Sequence, residues 1–399
     1  MRLPTIFILI TVTLDAMGIG LIIPIMPDLI REVEGGTLAQ AALWGGILST
    51  VFAVMQFLCS PVLGNLSDAF GRRPVLLVSL AVMALDYLVM ALAGSIWLLL
   101  LGRMVGGITA ATHATASAYM ADISAPEEKA RNFGLIGAGF GIGFVLGPLV
   151  GGLLGEMGTR APFYAAALLA TVNFLFGLLV LRETVTDRIR RPFRWRQSNP
   201  FATFRSLSRL PGIGRLLAVY LIYSVAHHVY PAIWAYFTLE RFAWSPQVIG
   251  LSLALYGIAA ALVQGGLIRV ILRRLGDRRT VIWSHLFDIL TFILLASITN
   301  GTLALILTPI AALGSALNPA MQGIMSRQVG DDRQGELQGA LGSLAALAMI
   351  VSPLLMTTVF AAATRQGGAL YLPGAPFLVS LALMALSLAI FLRTRSGAA

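Results

Sequence analysis

Charge is what this 399-residue sequence has least of. Only 12% of its residues are Asp, Glu, Lys or Arg, against 57% hydrophobic. So little charge over so long a chain excludes an ordinary soluble domain and a disordered tail alike. Cysteine is reduced to Cys59, which rules out an intrachain disulfide, and its place inside an apolar run reads as packing. No G-x-x-x-x-G-K-[ST] phosphate loop occurs, so ATP is not the expected energy source. The glycine-rich run Gly139–Gly155 follows no strand and lacks G-x-G-x-x-G spacing, so it is not a dinucleotide loop. Neither a Cys/His cluster with metal-ligand spacing nor a polar stretch of domain size is found, and an enzyme with its own cofactor or metal is not expected.

What the sequence has in plenty is long apolar runs. They lie near 5–26, 44–63, 75–93, 97–121, 133–155, 162–181, 213–237, 247–271, 280–298, 302–325, 337–361 and 373–393. Each suits a membrane crossing of about 20 residues. The expected fold is therefore an all-α membrane protein of twelve transmembrane helices. The first run carries Asp15 and no small-residue cleavage site, so it reads as a retained span and not a signal peptide. The net charge of +10 sits between the runs, which points to the bilayer as partner and away from nucleic acid. One side holds Arg72, Arg73, Lys129, Arg131, the arginines from Arg182 to Arg215, Arg273, Arg274, Arg278, Arg279, Arg327, Arg333 and Arg393. The other holds only Arg31, Arg160, Arg241 and Arg365. By the positive-inside rule both termini are expected in the cytoplasm.

The longest connection, rich in arginine and proline, divides the chain into an expected six-helix bundle at 1–181, a basic linker at 182–212 and a second bundle at 213–399. The halves echo each other. Gly71, Gly134, Gly137 and Pro148 recur as Gly276, Gly339, Gly342 and Pro353, each 205 residues later. Four coincidences at one offset indicate duplication and two pseudo-symmetric bundles.

Ionisable residues inside the spans are few: Asp15, Asp86, Arg103, His113, His227, His228, His285 and Asp288. A charge at mid-bilayer costs at least about 2.5 kcal/mol on insertion scales, so each needs a partner, a wet cavity or a proton. Asp288 and Asp15 are the leading proton-coupling candidates. Asp86 either pairs with a neighbour or faces cargo. Arg103 either snorkels to water or holds a carboxylate. His113, His227, His228, Tyr230 and Trp234 are candidates for a polar and aromatic cargo wall. Gly139, Gly143 and Gly147, with Pro148, form a small-residue stripe that lets two helices approach closely.

The string Gly64-Asn65-Leu66-Ser67-Asp68-Ala69-Phe70-Gly71-Arg72-Arg73-Pro74 is similar to the signature between spans 2 and 3 of the major facilitator superfamily. A narrower likeness runs over nearly the whole chain. Its marks include Leu14-Asp15-Ala16-Met17-Gly18, Asp86-Tyr87, Gly102-Arg103, Gly147-Pro148, Pro319-Ala320-Met321-Gln322-Gly323 and Gln334-Gly335-Glu336-Leu337-Gln338. Together they resemble the tetracycline/proton antiporters among the twelve-span drug exporters. The resemblance implies the major facilitator fold, one chain sufficing as a monomer, and residence in a bacterial inner membrane. It also implies drug export in exchange for protons, with tetracycline carried as a divalent-metal complex. It places Asp15, Asp86, Arg103 and Asp288 at charged in-membrane positions, and Gln56, Asn318 and Gln322 at polar cargo positions. Gly64, Asp68, Gly71, Arg72 and Arg73 fall on its gating loop, where Asp68 is a candidate latch between bundles. Two features depart from the family. Its histidine in span 8 is replaced here by Gly257-Ile258-Ala259, and His113 interrupts the small residues of span 4. A different drug, a proton-coupled metabolite importer and a non-transporting receptor or scaffold therefore stay open.

Overall fold

The computed structural model describes residues 3–110, 112–186, 190–195, 198–201, 212–330, 333–365 and 371–394, without the side chains of Thr112, His113 and Ala130. Among them the regular structure is helical throughout. The first half contains α1 (Leu3–Ile22), α2 (Met26–Glu34), α3 (Leu38–Phe70), α4 (Arg72–Leu92), α5 (Ile96–Thr109), α6 (Thr112–Ile123), α7 (Lys129–Gly155) and α8 (Ala161–Val180). The second contains α9 (Gly214–His227), α10 (Val229–Phe242), α11 (Pro246–Leu262), α12 (Ile268–Ser297), α13 (Gly301–Ala311), α14 (Leu317–Gln328), α15 (Gln334–Ala363) and α16 (Ala375–Leu392). Eleven continuous runs are long and apolar enough to cross a membrane. One of them, Pro246–Ser297, has 52 residues, about 78 Å of helix rise against a hydrocarbon core of about 30 Å. Gly276 breaks it with φ 71° and ψ 166°, so it holds two crossings and the total is twelve.

The expected charged turn after span 2 is shorter than the sequence indicates. Helix α3 continues through Gly64 and Asp68 to Phe70, and Gly71 alone departs from helix, with φ 111°. One glycine suffices because its missing Cβ admits the left-handed backbone. The first span is also revised, closing at Ile22 before the separate helix α2.

The chain forms two compact units that differ from the sequence halves by two segments. The first unit comprises residues up to Gly35, Val51–Pro200 and Ser245–Ala254; the second comprises Gly36–Thr50, Phe201–Trp244 and the chain from Leu255 onward. In the first, α7 lies along α1. A methyl group added at Gly143, Gly147 or Gly151 would strike the backbone carbonyls of Thr13, Met17 and Leu21 in turn. Helices approach this closely in lipid only where side chains are absent. Farther along, Gly250 backs onto the Pro148 carbonyl in the same unit. The second unit has its counterpart, with Gly46 against Thr357 and the Pro353 carbonyl, and the Thr50 hydroxyl donates to Ile350 O at 3.1 Å.

Helical continuity fails at regular intervals. It stops at Ile22 in the first span, after Thr109 in the fourth, at His228 in the seventh and across the 3-10 turn Ala312–Ala316 in the tenth. A π-turn, Val263–Leu267, interrupts the eighth. Backbone freed in this way within a membrane needs protein or water beside it, so interruptions mark where polar business is done.

Outside the spans, Glu32 of α2 accepts from the Thr159 hydroxyl and from Arg160 Nε at 3.0 Å, while Arg160 Nη1 donates at 2.8 Å to both Ala91 O and Ala93 O. The Thr159 hydrogen bond, with help from Arg160, holds the Glu32 carboxyl below its ordinary value near 4.5. A depressed acid stabilises the fold above that ordinary value and loses its contribution as pH falls through the depressed one. Replacing Glu32 with Gln should therefore lower the melting temperature slightly and equally at neutral and mildly alkaline pH. The deficit should vanish in strong acid, and one that grew on acidification would contradict this assignment.

Candidate functional site

In the first unit Asp15 projects from α1 with both carboxylate oxygens buried and no hydrogen-bond partner among the described residues. Gly18, one turn on, leaves the space that the Tyr87 hydroxyl of α4 fills. Asp86, the next residue along α4, is 6% exposed. Its carboxylate oxygens stand 3.0 and 2.9 Å from where a Cβ would sit on Gly102 and Gly106 of α5. The small residues expected only to pack α5 against a neighbour thus cradle a carboxylate. Arg103 neither reaches solvent freely nor makes an ion pair among the described residues. Its guanidinium lies over the Phe52 ring, 4.1 Å from the centroid, within electrostatic range of Asp86. A desolvated cation over an aromatic face is stabilised by about 1–2 kcal/mol. The side chain of His113 lies outside the described residues. Gln56 is half-buried on α3, where its carbonyl receives the Ser60 hydroxyl at 2.7 Å.

In the second unit Asp288 of α12 is fully buried, and both its oxygens lack a partner among the described residues. It occupies the place of the side chain that Gly314 does not have, against the 3-10 turn of the tenth span. The hydroxyls of Tyr223, Tyr230 and Tyr256, from α9, α10 and α11, lie within its electrostatic range. His227 meets the Tyr256 hydroxyl through Nε2 at 3.0 Å, while its Nδ1 and the Tyr230 hydroxyl are buried without partners among the described residues. Tyr223 stacks on His227 at 5.3 Å. The interior of the second unit thus holds a carboxyl, one imidazole nitrogen and a phenol hydroxyl that no described residue satisfies. Each such group costs on the order of 1–3 kcal/mol until a ligand, water or proton meets it.

Other sequence candidates separate on inspection. Trp234 is 1% exposed and packs in an aromatic core with Phe237, Trp244 and Phe377. His228 turns back onto its own helix, Nδ1 to Ser224 O at 2.7 Å. His285 is satisfied in the core, Nδ1 to Val281 O at 2.8 Å and Nε2 to the Ser387 hydroxyl at 2.9 Å. Gln322 donates to Asn318 Oδ1 at 3.0 Å, one turn away on α14.

The gating residues form a tight network. Arg72 pairs with Asp68, donates from Nη1 to the Ser67 hydroxyl oxygen at 2.6 Å and reaches Asp122 through Nε at 3.2 Å. Glu183 accepts from the N–H groups of Arg72 at 2.9 Å and Arg73 at 3.2 Å, capping α4. All these partners belong to the first unit, which the network braces. The second unit has Asp277 paired with Arg327. Those two residues follow Arg72 and Asp122 by the same 205 positions, with the charges exchanged. Sequence reading missed Phe52, Asp122, Glu183, Tyr256 and Gly314. Asp122 and Glu183 had a signal, acids beside spans on the arginine-rich side; Gly314 had none beyond a Gly-Ser pair in an apolar run.

Twelve crossings, interrupted helices and unpartnered carboxyls define a secondary transporter, and comparison places it. The family model described as Major Facilitator Superfamily matches residues 8–353. The chain belongs to that superfamily, whose members are transporters and not enzymes. Within it the chain falls among the tetracycline resistance proteins. It is 44% identical to the class C tetracycline resistance protein of Escherichia coli, over 94% of this chain and 96% of that one. It is 40% identical to the class G protein of Vibrio anguillarum, over 91% of each. The nucleoside transporter NupG superposes with TM-score 0.78 at 14% identity, covering 99% of each chain. The human organic anion transporter MFSD10 superposes at 0.68 with 24% identity, over 98% of this chain and 99% of that one. At those identities the solved structures speak for the fold alone.

Because Asp288 fits only where residue 314 has no side chain, Gly314→Ala should displace the carboxyl. Transport is expected to fall about tenfold or more, equivalent to ~1.4 kcal/mol, with normal membrane insertion. Gly342→Ala is the control, since a Cβ there meets nothing within 4 Å. Equal activity of the two variants would remove Gly314 from the site.

Proposed function

We propose that this protein exports a tetracycline-type drug, as its complex with a divalent cation, from the cytoplasm in exchange for protons. Asp288 carries the reading: a fully buried carboxyl without a donor, in a chain similar over its length to tetracycline resistance proteins. A proton or a cationic cargo satisfies it, and the two compete for the same oxygens. Asp15 serves in the same way in the first unit, with Asp86 and Arg103 setting the field around it. His227, Tyr230 and Tyr256 offer the cargo hydrogen bonds and ring faces, with Gln56, Asn318 and Gln322 as further polar contacts. The halves 1–181 and 213–399, joined by the basic linker 182–212, alternate access to a site near the midplane. The arginine distribution supports a reading with both termini on the cytoplasmic side, the likeness to a resistance protein of Escherichia coli supports residence in a bacterial inner membrane, and in this reading a monomer is sufficient.

A wider drug range is the second reading. It is favoured by the run Gly257-Ile258-Ala259-Ala260-Ala261 in span 8, where the family resemblance implies a histidine, and by His227 bonding to Tyr256. Inverted vesicles energised by a proton gradient separate these readings. Adding tetracycline with magnesium should dissipate the gradient, and Asp288→Asn should abolish the response. A response to unrelated drugs but not tetracycline would support the wider range. Dissipation of opposite sign would indicate an importer, and silence across the panel a scaffold.

A further inference from the structure

A cavity of about 850 Å³ lies in the second unit away from Asp288. Its walls are the amino-terminal turn of α3, the last turn of α10, the end of α15 and Tyr371. These parts follow the first, seventh and eleventh spans, all odd, so the cavity opens on the face opposite both termini. Its volume is that of a drug-sized ligand site. Leu38 and Leu43 supply apolar surface, while Glu240 and Arg365 supply one charge of each sign. The Tyr371 hydroxyl donates to Glu240 Oε1 at 2.5 Å and orients that carboxylate. No ion pair joins Glu240 to Arg365 among the described residues, so neither charge is spent on the other. The field of the backbone repeats the division: α3 presents the positive end of its dipole, while α10 and α15 end there with their negative ends.

We propose that this cavity is a second binding site, for a zwitterionic amphiphile whose ammonium faces Glu240 and whose anionic group faces Arg365. Two sources share that chemistry: the exported drug, if the export reading holds, and the headgroup of a zwitterionic lipid. Because α3 passes from the second unit to the first after Thr50, a ligand here also fastens the root of a helix common to both.

Equilibrium binding of tetracycline with magnesium to the purified full-length protein tests the first source. The expected result is two classes of site, the weaker of which loses about tenfold in affinity in Glu240→Gln and in Arg365→Gln. The tighter class should remain in both variants and be lost in Asp288→Asn. Lipid retention in native mass spectrometry tests the second source. Phosphatidylethanolamine kept by the wild type and lost by both variants supports the proposal even where tetracycline binds in one class only. The charge-exchanged pair Glu240→Arg with Arg365→Glu should regain binding, which a merely misfolded variant would not. One class of drug site together with lipid retention unchanged by either variant overturns the proposal. Absence of any tetracycline binding in the wild type would instead count against the export reading, leaving the lipid arm to decide this one.

Discussion

A carboxyl buried in the interior of a membrane bundle, with no donor among the described residues, is the constraint on which the rest of this structure turns. Asp288 is fully buried, and among the described residues nothing donates a hydrogen bond to it. A proton or a ligand would satisfy the group, and in the proposed function that obligation is what couples cargo to protons. Around it the fold makes room. Gly314 gives up its side chain, the tenth span gives up an α-turn, and the seventh breaks at His228 to bring His227 and Tyr230 to bear. The first unit repeats the device with different parts, Asp15 bare on α1 and Asp86 held between Gly102 and Gly106. Stability is given up at these places, and function is what the loss serves.

The charged corners show duplication acting on physics and not only on sequence. Gly71 and Gly276 both take positive φ, and the residue after each starts a new helical segment. Each of those residues then reaches an oppositely charged partner 50 positions on, Arg72 to Asp122 and Asp277 to Arg327. An exchanged pair keeps the same attraction while the sign of each position changes, so geometry has been retained where identity has not. Surface pairs of this kind contribute little by themselves, about 0–1 kcal/mol. Glu183 adds more by satisfying backbone donors that a helix start otherwise leaves bare, and its carboxylate lies where a Cβ at Gly71 would go.

Much of this was legible beforehand because lipid imposes such a strong pattern. Twelve crossings followed from hydropathy, and the contact of α7 with α1 was foreshadowed by glycines four apart, since that spacing places them on one helix face. What stayed hidden depended on contacts distant in sequence. Nothing about Gly314 announces a carboxylate 26 residues earlier, and Tyr256 acquires its meaning only from His227. The packing of Trp234 was not legible, because an aromatic beside histidines looks the same in sequence whether it lines a cavity or fills a core. The loop after span 2 misled differently: Gly64 and Asp68 are poor helix formers, yet tertiary context carried α3 past both. The exchange of Gly36–Thr50 and Ser245–Ala254 was invisible because a continuous helix gives no sign of changing allegiance midway.

The central claim is that cargo and proton compete for the buried carboxyls. It is tested most directly by proton release on binding, measured with the purified protein in weakly buffered detergent near neutral pH. The account requires that tetracycline with magnesium release protons from the wild type, that Asp288→Asn reduce the yield sharply and that Asp15→Asn reduce it further in combination. Binding without proton release, or release unchanged by the loss of Asp288, would contradict it.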